Sequence, residues 1–320
     1  MKAIRVHKTG DPGVLKLEDV PDLFSGAGEV LVRVRAAGVN PVDTYFRSGL
    51  YPRKDGFPYT PGFDAAGIVE AVGEGVKSFR EGDRVYVFGS VTGTYAEKVL
   101  CREGQVHPLP EKLSFEQGAG VSIPYATAYQ ALFNKACFRS GETVLVHGAS
   151  GGVGIAAVQL ARAAGAVVLG TGGTEEGRRL IKQEGAHHVF DHKSSDYLAK
   201  IIETTGGRGV DVVLEMLADV NLSKDLGIMA PRGRVIVIGS RGKIEITPRD
   251  LMSKESSVQG VLIFSATAEE MKQIHAALYA GFEQGTLRPV VGRALPLGEA
   301  AKAHHDIMNV PALGKIVLIP

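Results

Sequence analysis

Residues 143–165, TVLVHGASGGVGIAAVQLARAAG, read as a buried strand, a glycine turn and an amphipathic helix with no spacer between them. The run Thr143–His147 is β-branched and apolar on both faces, as a parallel strand covered by helices requires. It breaks at Gly148. From Ile155 onward Val158, Leu160 and Ala161, with Ala164 beyond, return at mixed three- and four-residue steps, and Gly165 closes the helix. The hydrophobic period therefore switches from strand to helix across the glycines, which is the local pattern of a dinucleotide cradle.

The turn is GASGGVG rather than GxGxxG. Aligned on Gly151 and Gly154, the fingerprint's first glycine falls on Ala149, but Gly148, Gly151, Gly152 and Gly154 are all present. Glycines there let the backbone approach a pyrophosphate, whose oxygens then meet the free N–H groups of the first helical turn. An ordinary tight turn would carry the same residues. The hydrophobic strand before it and the helix after it favour the dinucleotide reading.

The chain has 320 residues, 44% hydrophobic and 22% charged, with a formal net charge of +1. That length suggests two domains, and the charge gives no polyanion-binding signal from the bulk balance. Cys101 and Cys137 are the only cysteines, too few for a disulfide scaffold or a four-cysteine zinc site. The opening MKAIRVHKTG has no signal-type apolar core, and no stretch approaches the roughly 18 apolar residues of a membrane span. A reduced, cytoplasmic setting is the expectation.

Residues 1–115 read as β-rich: Ala3–Val6, Val14–Leu17, Glu29–Ala37, Ala65–Gly73, Arg84–Phe88, Tyr95–Leu100 and Val106–Pro108 are short strands between Gly, Pro and Asp turns. Residues 40–64, NPVDTYFRSGLYPRKDGFPYTPGFD, form an irregular aromatic-rich segment, and an ordered loop of that length is usually functional. A helical bridge spans 116–136. From Thr143 onward strands alternate with helices, the signature of a parallel sheet. Its six strands are Thr143–His147, Val167–Gly170, His188–Phe190, Val210–Leu214, Val235–Ile238 and Val258–Leu262. A helix over Ala268–Gln284 follows, then strand-like pieces Val290–Pro296 and Lys315–Ile319. The last most simply returns to the first domain's sheet, making that domain discontinuous, with a cleft at the two crossings.

This order of segments resembles the medium-chain dehydrogenase/reductase superfamily. GVNPVDTYFRSGLY, YTPGFDAAG, LPEKLSF, IPYATAYQAL, VLVHGASGGVG, LGTGGTEEG, EMLADVNLSKDL, GRVIVIGSRG, PRDLMSKESS and GKIVL resemble, along nearly the whole chain, the zeta-crystallin family of NADPH:quinone oxidoreductases. The resemblance implies an α/β fold, a Rossmann doubly wound parallel sheet plus a discontinuous, GroES-like β-rich domain. It divides the chain into a catalytic β-rich part over 1–118, a dinucleotide-binding domain over 119–264 and a return to the catalytic domain over 265–320.

In the zinc-dependent alcohol dehydrogenases of that superfamily a Cys and a Gly-His-Glu segment supply metal ligands. The matching places here carry Asn40 and Gly62-Phe63-Asp64. Zinc prefers soft sulfur and imidazole nitrogen, and neither Asn nor Phe supplies them. No metal is therefore expected. His187-His188 and His304-His305 are adjacent pairs, which point to opposite faces of a strand or about 100° apart on a helix, so two-ligand cooperation is not expected from them.

An NAD site usually has Asp or Glu about 20 residues past the glycines to take the ribose hydroxyls. Gly172 and Gly173 stand there instead, with Arg178, Arg179 and Lys182 just beyond, which admits a 2′-phosphate. Glu175 and Glu176 follow Thr174, a plausible N-cap, and read as first-turn acids. The resemblance implies NADPH contacts at Tyr45, Ser150, Gly151, Gly152, Val153, Gly173, His192, Asn221, Ile238, Gly239, Ser240, Arg241, Val261, Leu262 and Ile263, to which the residue reading adds Arg178. Read from the residues alone, Ile238-Gly239 is a strand end and Asn221 a helix cap.

With no strong Lewis acid to acidify an alcohol, an already polarised acceptor is favoured, a quinone or an α,β-unsaturated carbonyl. Tyr45, Tyr51 and Asn40 are the candidate catalytic residues, able to hydrogen-bond a reduced oxygen while aromatic neighbours stack on a flat ring; loop packing is their alternative. The resemblance also implies one-electron quinone reduction and a homo-oligomer, dimer or tetramer. An alkenal or enone reductase remains open, as does a non-catalytic NADPH-binding protein of crystallin type or one that binds AU-rich RNA through a local patch.

Overall fold

The computed structural model describes residues 1–53 and 56–320; Lys54 and Asp55 of the 40–64 segment lie outside the described residues. In chain order the elements are β1 (Lys2–Val6), β2 (Leu15–Asp19), β3 (Glu29–Val39), α1 (Pro41–Ser48), β4 (Asp64–Val72), β5 (Arg84–Phe88), β6 (Lys98–Arg102), β7 (Val106–Pro108), α2 (Phe115–Gly118) and α3 (Ser122–Tyr129). Then come β8 (Thr143–Val146), α4 (Gly152–Ala163), β9 (Val167–Thr171), α5 (Glu175–Gln183), β10 (His188–Phe190), α6 (Tyr197–Thr204), β11 (Val210–Glu215) and α7 (Ala218–Ile228). The remainder is β12 (Met229–Val237), α8 (Pro248–Lys254), β13 (Ser257–Gly260), α9 (Ala268–Gln284), β14 (Val291–Pro296), α10 (Ala300–Asn309) and β15 (Lys315–Ile319).

Internal contacts divide the chain into two units, one of Met1–Ile123, Arg288–Val310 and Gly314–Pro320, the other of Pro124–Leu287 and Pro311–Leu313. The second unit holds a six-stranded sheet in the order β10-β9-β8-β11-β12-β13, with all neighbours parallel. That order turns outward in both directions from β8, so the crevice at its carboxyl end, between β8 and β11, is the topological switch point where such sheets take their ligands. Leu145, Leu169, Val213 and Val235 are fully buried in the core beneath it.

The expected boundaries at 118/119 and 264/265 differ from these unit boundaries. α9 belongs with the parallel sheet because its apolar face, Ile274, Leu278 and Phe282, is buried and Phe282 meets Tyr125 edge to face with ring centroids 5.4 Å apart.

The first unit is built on a seven-stranded sheet in the order β14-β15-β3-β4-β5-β7, with β6 also paired to β3 and β1-β2 forming a separate pair. β15 lies antiparallel to β3, Val317 opposite Gly38, so the last apolar segment does return to this sheet. Close approach explains why position 38 is glycine: a Cβ there would stand 2.0 Å from the Ala119 carbonyl oxygen.

Three local expectations are corrected. The segment after residue 40 is not wholly irregular, because α1 occupies its first third. Pro41 supplies a fixed first turn, Asp43 Oδ2 accepts from the Asn40 N–H at 2.8 Å, and Gly49 closes the helix with φ 85°. Tyr95 and Ala96 precede the strand expected to start there; Ala96 instead bridges Ala3 of β1. α10 was not expected at all, and its buried residues are Ala300, Ala303, His304 and Asp306.

Candidate functional site

The glycine turn is shaped by two contacts. Gly148 sits at φ +55°, in the left-handed region, which glycine adopts without steric cost. A Cβ on Gly154 would lie 2.4 Å from the Gly148 carbonyl oxygen and 2.6 Å from Ala149 Cα, so strand and helix pack this tightly only with glycine. Gly151 is the N-cap of α4 in extended conformation, and no side chain caps the helix. The N–H groups of its first turn, at Gly152, Val153 and Gly154, thus face outward without a side-chain partner at the positive end of the helix. Ser150 is buried beside them.

The ends of β9 and β10 lie side by side, Phe190 opposite Thr171. Thr174 caps α5, accepting from Gly177 N at 3.1 Å, so Glu175 and Glu176 are first-turn acids. Of the three basic residues expected nearby, Arg178 alone faces the strand end, donating to the Gly172 carbonyl at 3.2 Å and pairing with Asp191 at 2.8 Å. Arg179 pairs with Glu175, and Lys182 donates to the His187 carbonyl at 2.7 Å. A Cβ on Gly173 would meet His192 Nε2 at 2.7 Å and Lys193 Cε at 3.1 Å, so the cationic side chain beside Gly173 is Lys193, which the sequence reading passed over. Its signal was the His192-Lys193 step directly after β10. Burial lowers the His192 pKa, against the opposing charge of Asp191.

The remaining nucleotide candidates sit on α7 and on the segments that follow β12 and β13. Asn221 lies inside α7, whose N-cap is Leu217, which corrects the helix-cap reading; its Nδ2 donates to Glu215 Oε1 at 3.2 Å. Ile238 N donates to the Glu215 carbonyl at 2.8 Å, and a Cβ on Gly239 would stand 2.4 Å from the Met216 carbonyl oxygen. Asp219 holds the next turn, accepting from Arg241 N at 2.8 Å and Ser240 Oγ at 3.3 Å. Val261 N donates to the Val237 carbonyl; Leu262 is exposed and Ile263 buried.

In the first unit Tyr45 and Tyr51 stack obliquely with ring centroids 5.4 Å apart. Phe46 joins Tyr51 at 5.6 Å and Phe63 at 5.5 Å. The structure thus brings Tyr45 and Tyr51 together and sets Asn40 apart from them. Asn40 is buried, its Nδ2 donating to Asp64 Oδ2 at 2.9 Å and its Oδ1 accepting from Lys315 Nζ at 2.5 Å. Lys315 Nζ also donates to Asp64 Oδ2 at 2.9 Å, and Asp64 Oδ1 accepts from Ile123 N. At the places where zinc ligands would stand there is therefore an engaged amide, a phenylalanine packed on Phe46, and a carboxylate already paired with an ammonium. This donor set does not fit zinc.

Behind α1, Tyr95 Oη donates to Asp43 Oδ2 at 2.9 Å and lies 3.2 Å from His304 Nε2. Burial pushes the Asp43 carboxyl up to about 7 and the His304 ring down to about 3. A cavity of about 530 Å³ is lined by Asp43, Phe46, Tyr59 and Phe63 among others, but not by Tyr45 or Tyr51.

Two family descriptions match the chain, the alcohol dehydrogenase GroES-like domain over residues 26–111 and the zinc-binding dehydrogenase over residues 152–279. A quinone oxidoreductase of Sus scrofa is 55% identical over all of this chain and 98% of its own length. Among solved structures, an NAD-dependent alcohol dehydrogenase aligns with a TM-score of 0.93 at 31% identity over the whole of both chains. The Escherichia coli quinone oxidoreductase complexed with NADPH aligns with a TM-score of 0.90 at 31% identity, again over the whole of both. Full-length identity at this level, with both halves of the architecture matched in order, makes this chain a member of the zeta-crystallin-type quinone oxidoreductase family, within the medium-chain dehydrogenase/reductase superfamily.

Proposed function

We infer that this chain is an NADPH-dependent quinone oxidoreductase that works without zinc. The observation that carries the reading is the uncapped mouth of α4 at the switch point, with no carboxylate at the end of β9. The first-turn N–H groups of Gly152 and Val153 bind the pyrophosphate, and Ser150 and Gly151 shape the turn beneath it. Gly173 leaves room for a 2′-phosphate beside His192 and Lys193; Arg178 neutralises Asp191, which would otherwise repel that phosphate. Asn221, the 238–241 turn and residues Val261, Leu262 and Ile263 border the rest of the dinucleotide.

When bound, NADPH supplies hydride, or its electrons singly, to a polarised acceptor. The chain's own part is to orient that acceptor and keep water away. Tyr45 and Tyr51 offer hydroxyls to its oxygen, and the rings around them offer faces to its plane. Asn40 acts indirectly by fixing the start of α1, the helix that carries Tyr45.

Steady-state turnover of an ortho-quinone and an alkenal, each with NADPH and NADH, tests the reading. Quinone turnover with NADPH should dominate. Faster alkenal turnover would make the chain an enone reductase, and NADPH binding without turnover of either would make it a binding protein. No helix among the described residues is long and apolar enough to cross a membrane. A cytoplasmic location and a homo-oligomer, dimer or tetramer, complete the proposal and are read by fractionation and sedimentation.

A further inference from the structure

His147 follows β8, Glu215 ends β11 and Asp225 lies on α7; all three are buried, with relative exposures of 2%, 0% and 0%. One donor atom from each comes within 4.8 Å of the others. His147 Nε2 is 2.9 Å from Asp225 Oδ1 and 3.5 Å from Glu215 Oε2. Its Nδ1 is 3.2 Å from Thr171 Oγ1. Glu215 Oε1 accepts from Leu217 N and Asn221 Nδ2. Two oxygens remain, Glu215 Oε2 and Asp225 Oδ2, and neither has a hydrogen-bond partner.

Fully ionised, two carboxylates and one imidazolium would leave a net negative charge in the core, along with two unsatisfied acceptors. Both are costly in a low-dielectric interior. One proton held between the carboxyl groups removes the charge and satisfies both oxygens at once. The cluster also sits under the nucleotide loops. The Glu215 carbonyl accepts from Ile238 N and Gly239 N, and Ala218 N donates to the Gly239 carbonyl. His147 adjoins Gly148. The turns at 148–151 and 238–241 and the start of α7 are therefore all tied to these residues.

We propose that Glu215 is a positioning residue of the nucleotide site, locked by a proton shared with Asp225 against His147, and that dinucleotide binding is linked to uptake of that proton. The inference rests on the proposed NADPH site. Losing the proton leaves an unpaired negative charge beneath loops that take an anionic ligand, so proton and dinucleotide favour each other. Burial, reinforced by Asp225, pushes Glu215 up to about 7 despite the nearby His147 charge. Burial alone would lower the His147 pKa, but Asp225 and Glu215 outweigh it and raise it. The other titratable groups facing the cluster are Lys224 on α7, whose charge opposes protonation of His147, His192 after β10, which feels the His147 charge, and Tyr197 on α6, raised by burial and then by Asp225 and Glu215.

The test is NADPH titration of the full chain by calorimetry at neutral pH in two buffers of different ionisation enthalpy, with Kd followed from about pH 6 to 9. The wild-type chain should take up a fraction of a proton on binding, and its Kd should rise about threefold or more above neutrality. Asp225→Asn places an amide N–H where the shared proton was, so this rise should vanish. The ratio of variant to wild-type Kd cancels titration of the ligand phosphates and of His192. A purely structural role would lower thermal stability and leave the proton count unchanged. Binding without proton uptake, or parallel pH profiles, overturns this inference alone. Failure of the wild-type chain to bind NADPH overturns the proposed function and this inference with it. Should Asp225→Asn not fold, Glu215→Gln, whose amide likewise puts an N–H between the two side chains, takes its place in the same comparison.

Discussion

The ammonium of Lys315 lies 2.9 Å from the carboxylate of Asp64, and both side chains are buried. The pair joins the last strand of the chain to β4 across β3. Removing one partner leaves the other charge buried without compensation, so Lys315→Met should destabilise the protein by about 3–5 kcal/mol. Adding Asp64→Asn should restore part of that loss, since the orphaned charge is then gone. Denaturant unfolding of the wild type, the single variants and the double variant measures the difference.

The same pair bears on metal. Lys315 occupies the meeting point of Asn40 and Asp64, and Phe63 packs against Phe46. Activity should therefore survive exhaustive chelation unchanged. A stoichiometric zinc whose removal abolishes turnover would refute the zinc-independent reading.

Cofactor preference follows from the end of β9. With Gly172 and Gly173 in place of an acid, and Lys193 beside Gly173, NADPH should bind more tightly than NADH by at least about 1.4 kcal/mol, a tenfold ratio. Lys193→Ala should weaken NADPH and leave NADH nearly unaffected. Equal affinities for the two nucleotides in the wild type would sink the reading.

A pH effect separates the buried groups behind α1. Burial holds His304 at about 3, below its ordinary value of 6.5, so the unfolded chain binds the extra proton between those limits. The stability that His304 contributes is therefore present above pH 6.5 and is lost as pH falls toward 3. Asp43, raised to about 7, acts oppositely, because there the folded chain holds the extra proton. The stability difference between wild type and His304→Gln should accordingly narrow as pH drops from 7 to 4, with Asp43 largely cancelling between them. Thermal unfolding at three pH values reads this out.

Much of the second unit was legible because its signals are local. The strand β8, the glycines and α4 are contiguous, and Gly154 answers a backbone approach to Gly148 and Ala149 only a few residues away. What stayed hidden depends on residues far apart in sequence. Nothing near Asn40 announces that Lys315, on the final strand, will engage its amide, or that Asp225 will face His147. α1 was overlooked although Pro41, Asp43 and Gly49 are ordinary start and stop signals, because the aromatic, proline-rich composition of the whole 40–64 stretch outweighed them. Lys193 is hidden in the sequence because the conspicuous basic residues lie on α5, whereas the parallel pairing of β9 with β10 brings the next strand's end to the same place.

Tyr45 packs its ring beside Tyr51 on a helix whose start is fixed by Asn40 and Asp43. If its hydroxyl stabilises negative charge developing on the acceptor oxygen, the contact strengthens toward the transition state and contributes to rate more than to nucleotide affinity. Tyr45→Phe should then lower kcat while changing the NADPH Kd little. A lost donor to a charging oxygen is worth about 2–4 kcal/mol in favourable cases; a quinone is already a ready acceptor, so the loss here should fall toward the lower end. Tyr51→Phe isolates the neighbouring hydroxyl while keeping the aromatic packing. Asn40→Ala is expected to behave differently, losing stability because Lys315 and Asp64, still paired with each other, each lose a buried hydrogen bond, and losing activity only through displacement of α1. Measuring kcat, NADPH Kd and unfolding midpoint for all three separates the roles. Unchanged turnover in both tyrosine variants would remove these hydroxyls from the chemistry and leave the aromatic group a purely steric part.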